Sequence, residues 1–597
     1  YENNIKLADV NFVSPVADNA LSYYNYHILD TLYFSSVRCI QVQFDPIQFG
    51  SNTFKGFMWI ADTSYSLKSV VMHMDKNANI NFIEKFEISQ FFKTENQKDF
   101  FPEKNVLYID LTVPAMKKTG VIAKKTTVYK DAILNNEEID TAFIKKSVDV
   151  VSIVHDTSNW DQIRLEPLSK SENSVYLLMD TLNKIPAVVT YTKIISALSD
   201  GYYTTGHVDI GNLYSTYTNN IIEGNRFTFG LKTNRYFNQR IQLRGYIGFS
   251  TRDEKTKYLL SSLFVLNPRQ WSTLRLMYSS DLYGTYDHDD ELDQNSIFAS
   301  FLRRVKSSKI RLVNREEADI TFKKFFDNGI GIGAELKNST LSPFFNVYYT
   351  YNGFTPYLYT KPGVYNNYKV NEATFSLRYS YKEKFITEHY RRGSLGSNYP
   401  IMTLAYTKGL KVNNGLLKSD FDYSKWNLNI QHDFTDGRIG QLSYTIDAGL
   451  TNGILPIVLL DVQKGNDTYY YNKYAYNNMN RYEFATDKYV GLSVQQAFGS
   501  FPFNYIPLIK RLKWRSLATF KGIMGDMSQA NKIANGYYDS TINYHFTVPD
   551  KTPYMEAGVG IDNIFHLIRI DAVWRLSYLN NPGISKFGIK GSVEFKF

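Results

Sequence analysis

Toward its C-terminal end the chain alternates between apolar and polar residues with a period of two. From Lys586 to Phe597 the odd positions hold Phe587, Ile589, Gly591, Val593, Phe595 and Phe597. The even ones hold Lys586, Gly588, Lys590, Ser592, Glu594 and Lys596. Successive side chains of a strand point to opposite faces, so this segment predicts a strand with one apolar and one wet face. The same pattern sets Ile568, Ile570, Ala572, Trp574, Leu576 and Tyr578 against Arg569, Asp571, Val573, Arg575 and Ser577. Met555, Ala557, Val559 and Ile561 alternate with Tyr554, Glu556, Gly558 and Gly560. It recurs around Leu442–Leu450, Ile241–Phe249 and Phe227–Leu231. These runs are about ten residues long, which is what a tilted strand needs to cross hydrocarbon.

Turn chemistry separates the runs. Asp327-Asn328-Gly329 and Asp436-Gly437 predict tight hairpins, because these residues tolerate positive φ. Polar stretches rich in Tyr, Asn and Asp at 280–295, 340–368, 383–400, 451–486 and 524–551 predict long loops. Short turns on the periplasmic side and long loops outside are the habit of outer-membrane barrels. Residues 205–597 therefore predict an antiparallel transmembrane β-barrel of about 16 strands, an even number being favoured by the architecture. A soluble β-sandwich also alternates, but it hides its apolar face. Here the polar face carries charges such as Arg569 and Asp571, while Trp, Tyr and Phe stand at strand ends as an aromatic girdle requires. No repeat of blade length is visible, which disfavours a propeller.

Residues 1–165 predict a periplasmic sheet domain of mixed α+β character. Ile40, Val42 and Phe44 alternate, as do Phe54, Gly56, Met58 and Ile60, and 106–113 gives another strand. Residues 166–204 predict a helical linker or plug. Ser169 and Glu172 have capping-box spacing ahead of Val175, Tyr176, Leu178, Met179 and Leu182, a stripe that stops before Pro186. A shorter helix is expected over Tyr191–Leu198, ended by Gly201. Such a helix could plug the barrel mouth or cover the soluble sheet.

Composition sharpens this reading. Aromatic residues make up 16% of the chain, with 47 Tyr and 40 Phe, yet mean hydropathy is −0.32. With no apolar run of about 18 residues, the chain cannot span a bilayer as helices. Strands escape that limit, since only alternate residues face lipid. At 597 residues two or more structural units are expected. The net charge of +9 is scattered, without the clustered block that would predict a nucleic-acid partner. Cys39 is the single cysteine, which excludes an internal disulfide and a multi-cysteine metal site. The sequence begins at Tyr1 with no initiator Met and no signal-like segment, and is read as a processed or truncated chain.

Motifs for chemistry are sparse. No HExxH pair, Gly-x-Ser-x-Gly elbow or Walker loop is present, so no enzyme, cofactor or metal is predicted. Gly329, Gly331 and Gly333 read as packing space within a strand. The acidic run Asp287, Asp289, Asp290, Glu291 and Asp293 reads as a solvated loop, with Ca²⁺ binding as the alternative. The inner face is expected to carry Arg226, Lys232, Arg240, Arg244, Arg378, Arg569, Arg575 and Lys590 against Glu335, Asp433, Asp447, Glu556, Asp571 and Glu594. Arg391 and Arg392 either reach into this lumen to meet Asp447, Glu556 or Asp571, or belong to a surface loop.

Several segments carry a resemblance: 53–62 (TFKGFMWIAD), 81–83, 219–226 (NNIIEGNR), 391–400 (RRGSLGSNYP), 481–490 (RYEFATDKYV) and 554–579. Together they resemble an uncharacterised Bacteroidota outer-membrane family, often preceded by a carboxypeptidase-regulatory-like domain. The N-terminal sheet is loosely similar to periplasmic lipoprotein-carrier folds. The barrel end, with Ile568-Arg569-Ile570-Asp571 and a final aromatic strand, resembles BamA-type assembly barrels, though POTRA repeats and the Val-Arg-Gly-Phe loop motif are missing. The terminal Phe595 and Phe597 resemble the signal read by the barrel assembly machinery. The resemblance implies an outer-membrane barrel that assembles, inserts or exports protein, lipoprotein or lipid clients received by a periplasmic domain. The alternative is a solute pore with a basic lumen. An outer-membrane phospholipase or protease is the weakest reading, since no Ser/His or Asp/His spacing nominates a site. A TonB-linked importer is set aside, since about 22 strands would be needed.

Overall fold

The computed structural model describes residues 3–7, 10–34, 37–48, 51–75, 78–94, 100–112, 120–130, 164–182, 184–220, 222–253, 255–284, 311–357, 367–415, 417–436, 440–539 and 546–594. The acidic run 287–293, Gly437, Phe595 and Phe597 lie outside the described residues.

In the N-terminal part, seven strands follow one another as an antiparallel sheet: Tyr24–Phe34, Val37–Pro46, Phe54–Ala61, Leu67–Met74, Ile83–Thr94, Phe100–Thr112 and Gly120–Val128. The strands expected at Ile40–Phe44 and Phe54–Ile60 are among them. A hairpin of Asn4–Leu7 and Val10–Val13 packs on one face, where Phe12, Phe44, Phe54 and Phe86 form a core. Val37, Cys39 and Ala61 gather with Trp59 in a second, smaller cluster. Burial of these aromatic side chains is the main driving force for this unit.

Two helices follow, α1 (Lys170–Leu182) and α2 (Pro186–Asp200). The expected capping box forms: the Ser169 N–H donates to Glu172 Oε2 at 2.9 Å, and the Glu172 N–H donates to Ser169 Oγ at 3.3 Å. Pro186, read as a stop, instead opens α2, where its missing N–H and fixed φ suit the first turn. The second helix is therefore longer than expected. Gly201, at φ +73°, closes it with an N–H to the Ala197 carbonyl. Among the described residues α1 has no buried residue, and Ala197 is the buried one of α2.

The remainder forms an antiparallel sheet of eighteen strands in which neighbours in sequence are neighbours in space. It runs from Tyr202–Thr205 to Phe587–Val593. Eighteen lies within two of the expected 16, and at the first edge Val208–Gly211 and Tyr217–Asn220 both pair with Gly224–Thr233 and act as one interrupted strand, which brings the count to seventeen. The predicted turn 327–329 is present, with Gly329 at φ +86° between Leu312–Phe325 and Ile330–Pro343.

The two faces of this sheet have opposite character. Phe227, Phe229 and Leu231 are exposed while Thr228 is buried; Phe375 is 54% exposed. On the other face Arg575 is 3% and Asp571 0% exposed. The sheet thus buries its charges and displays its aromatic side chains, the reverse of a sheet folded around an apolar core.

One rim carries mostly tight turns, and the other carries long loops. The stretch 383–400, expected as a long external loop, lies on the tight-turn rim, because it follows a strand, Tyr368–Ser380, that runs back toward that rim. There it forms a small hairpin of Phe385–Glu388 and Arg391–Ser394. Its Tyr390 hydroxyl donates to the Asn234 carbonyl at 3.0 Å, so turns far apart in sequence meet at this rim.

Candidate functional site

The charged face lines a chamber of about 2690 Å³, bordered by successive strands from Leu312–Phe325 to Ile568–Arg575. Arg315, Lys337, Glu372, Asp447 and Lys521 project into it, and Asn4 and Asn79 of the N-terminal unit line it too. Several charges on the inner face of the sheet are paired. Arg226 holds Asp281 at 2.6 Å, Lys337 holds Glu372 at 2.7 Å, and Arg569 grips Asp571 through two bonds of 2.7 and 2.8 Å. Burying a charge is tolerable only with such a partner.

At the long-loop rim, separate loops share one apolar cluster. Val347, Tyr349, Phe421, Leu455, Ile457, Met527 and Phe546 are buried together, with Phe354 stacked on Phe421 at 5.5 Å. At the tight-turn rim the N-terminal unit docks. Asn81 Nδ2 donates to Asn563 Oδ1 at 2.6 Å, Arg515 Nη2 to the Asn79 carbonyl at 2.9 Å, and Lys513 Nζ to the Ile80 carbonyl at 3.1 Å. His566 Nδ1 sits 2.9 Å from Asn81 Oδ1, and burial pushes this imidazole down.

Between these ends lies the feature sequence reading missed. The polar stretch 451–486, expected outside, folds inward, so that Asn477, Asn478, Met479 and Phe484 are buried. Its backbone polar groups need partners there, and the wall supplies them. Lys521 Nζ donates to the carbonyls of Ala475 at 2.6 Å and Lys473 at 2.8 Å. Lys590 Nζ donates to the Thr468 carbonyl at 2.6 Å. Glu556 accepts the N–H groups of Asn477 at 2.7 Å and Asn478 at 2.9 Å. Arg575 binds Glu483 with bonds of 2.6 and 2.9 Å. The Arg569 guanidinium lies 4.0 Å over the Tyr471 ring, and burial pushes that phenol up to about 12.

The loop also reaches the edge of the final strand. The Gly591 N–H donates to the Tyr469 carbonyl, and the Tyr471 N–H to the Gly591 carbonyl, both at 2.8 Å. At Gly588 a Cβ would stand 2.6 Å from Asn478 Oδ1, so any larger residue there must displace the Asn478 side chain.

Of the residues singled out in sequence, Glu556, Arg569, Asp571 and Arg575 meet around this loop. Asp447 accepts from Asn429 at 2.6 Å and lies close enough to Tyr476 of the loop to act on it electrostatically. Arg391 and Arg392 do not reach them: both belong to the rim hairpin, where Arg392 packs 4.0 Å over Phe385. Glu483, Lys521 and Tyr471 went unnoticed, although two glycines in the polar-patterned last strand signalled a close approach. Among the described residues no group of three or more His, Cys, Asp or Glu gathers at metal-binding distance.

Fold and site define an all-β protein with one large antiparallel sheet, whose inner, charged face holds a chain segment of its own. Its residues 1–130 match the family of unknown function DUF5686, and 196–530 match the C-terminal domain of that family; the chain belongs to it. No curated protein matches. Among solved structures, BamA from Haemophilus ducreyi lacking POTRA domains 1–3 is similar at TM-score 0.39 and 11% identity, over 68% of this chain and 78% of that one. CdiB from Acinetobacter baumannii gives 0.33 and 10% over 63% and 58%, and CdiB from Escherichia coli 0.34 and 12% over 62% and 59%. The chain thus spans less than two thirds of either CdiB. Likeness at this level carries no functional inference.

Proposed function

We propose that the chain is an outer-membrane protein whose large sheet closes on itself as a transmembrane barrel, with the N-terminal unit in the periplasm. The observation behind the membrane placement is the inverted sheet, aromatic outside and charged inside. Exposed aromatic rows are costly in water and favourable in hydrocarbon, while a lone open sheet edge is costly in lipid. The Bacteroidota source and the preceding carboxypeptidase-regulatory-like domain implied by resemblance belong to the same proposal.

Within that placement, the protein handles clients instead of conducting solutes or performing catalysis. It receives a protein, lipoprotein or lipid at the N-terminal unit and delivers it into or across the membrane. What supports this reading over a pore is the arrangement of the chamber, which is covered by the loop cluster at one rim and faces the N-terminal unit at the other. The barrel assembly machinery is the expected partner for its own insertion. Reconstitution in planar bilayers separates the readings: no steady conductance is expected, and a stable open channel would establish the pore. Photo-crosslinkers placed in the N-terminal unit should capture periplasmic clients, and their absence in cells that express folded protein would overturn client handling.

A further inference from the structure

The helices α1 and α2 present an apolar surface that the fold leaves uncovered. On α1, Val175, Leu178, Met179 and Leu182 recur at helical spacing with Tyr176 beside them; on α2, Tyr191, Ile194, Ile195 and Leu198 do the same, with Lys193 and the threonines opposite. Tyr191 is 68% and Ile195 66% exposed. Water is a poor solvent for two such stripes.

Their ends fix where they stand. The α1 start is tied to the N-terminal sheet, where Glu172 pairs with Lys124 at 3.0 Å. The α2 end runs through Gly201 straight into Tyr202–Thr205, the first strand of the wall. That strand pairs with Val208–Gly211, whose Val208 lies opposite Thr233 at the tight-turn rim. Tyr202 opposite Gly211 is therefore about 10 Å above that rim, at a rise of about 3.4 Å per residue. The α2 stripe thus ends at the first strand of the wall, close to the tight-turn rim, where Tyr203 of that strand is exposed.

Length decides how they meet lipid. Thirteen and fifteen residues give helices of about 20 and 22 Å, short of the roughly 30 Å hydrocarbon core. Neither can span it, and both suit the plane of the interface, with an apolar face sunk about 5–10 Å below the headgroups.

We infer that α1 and α2 form an interfacial anchor lying on the periplasmic leaflet of the bilayer that surrounds the barrel. The occupant of their apolar stripes is lipid, and the inference rests on the membrane placement proposed above. The pair fixes the height of the N-terminal unit against the membrane.

Spin labelling in nanodiscs of phosphatidylethanolamine and phosphatidylglycerol tests it on the full chain. The buried Cys39 is replaced (Cys39→Ala), and single labels go to Leu178→Cys, Ile195→Cys and Lys193→Cys. Phe375→Cys reports the wall and Tyr65→Cys the exposed N-terminal unit. Labels at 178 and 195 should collide with oxygen more than with a nickel chelate, as at 375, while 193 and 65 should show the reverse. Nickel-dominated collisions at 178 and 195 beside a lipid-like 375 would overturn the anchor and leave the barrel standing. A water-like 375 would overturn the membrane placement itself. Low collision with both reagents at 178 and 195, with dipolar broadening between chains, would assign the stripes to a second copy and also overturn the anchor.

Discussion

Replacing Arg575 with methionine should release the inward loop. Arg575 is fully enclosed, with its two charged bonds to Glu483 at 2.6 and 2.9 Å and further bonds to the carbonyls of Ser577 and Tyr578 at 3.0 Å. Methionine fills much of the volume and leaves the Glu483 carboxylate buried, with the Asn581 amide at 2.7 Å as its remaining side-chain donor from the wall. Removing one member of a buried pair costs about 3–5 kcal/mol, because the survivor is uncompensated. Much of that cost is avoided if the loop leaves the chamber and hydrates Glu483. At about 1.4 kcal/mol per tenfold, even 3 kcal/mol raises the released population by about a hundredfold. The assay is the labelling rate of Met479→Cys, buried in the loop, in the Cys39→Ala background. Arg575→Met should accelerate labelling strongly, Glu483→Gln should do so as well, and the double variant should be no worse than either single one. Equal and additive effects, or labelling unchanged in Arg575→Met, would refute the claim that this pair secures the loop.

Three further outcomes are expected. Gly588→Val should displace Asn478 and speed labelling at the same reporter, whereas Gly591→Ala, whose nearest neighbour is the Arg569 carbonyl at 3.7 Å, should leave it unchanged; the opposite ranking would dismiss the close-approach argument. Phe375→Arg, on the outward face, should lower unfolding stability in lipid vesicles by about 2–4 kcal/mol if it sits near mid-membrane, and an unchanged urea midpoint would contradict a lipid-facing position. Glu172 is held at about 2 by bonds from the Ser169 backbone and hydroxyl, below its ordinary 4.5. A depressed carboxyl stabilises the α1 start above 4.5 and loses that effect as pH falls toward 2, so the protection of first-turn amides relative to their intrinsic exchange rates should fall over that window; a fall that Glu172→Gln leaves unaltered would exclude the cap as its cause.

The wall was legible because its signal is local. Phe227, Phe229 and Leu231 against Arg226, Thr228 and Lys232 state both the strand and its two faces within seven residues. Turn 327–329 and the Ser169–Glu172 cap are equally short-ranged. What was misread depends on distant partners. The loop turns inward because Lys521, Glu556, Arg575 and Lys590 receive it, and Arg575 stands 92 residues from Glu483. Polarity alone makes such a stretch look solvated. The hairpin at 385–394 failed for another reason: length was taken as a sign of the outer rim. Counting strands from the tight turn at Gly329 gives its side by parity, since two crossings return the chain to the same rim.

The two bonds between the inward loop and Gly591 impose an order on biogenesis. The loop is made more than a hundred residues before the strand it touches, and Lys590 can meet Thr468 only when both are in place. The final strand and the inward loop therefore complete each other only once both are placed. Such distant closure is slow to form, because the chain ordered in between must be immobilised before the contact rewards it. A chain without Phe587–Val593 would lose the loop's bonds to Lys590 and Gly591 while keeping those to Lys521, Glu556 and Arg575, so placing the last strand completes the sealing of the interior.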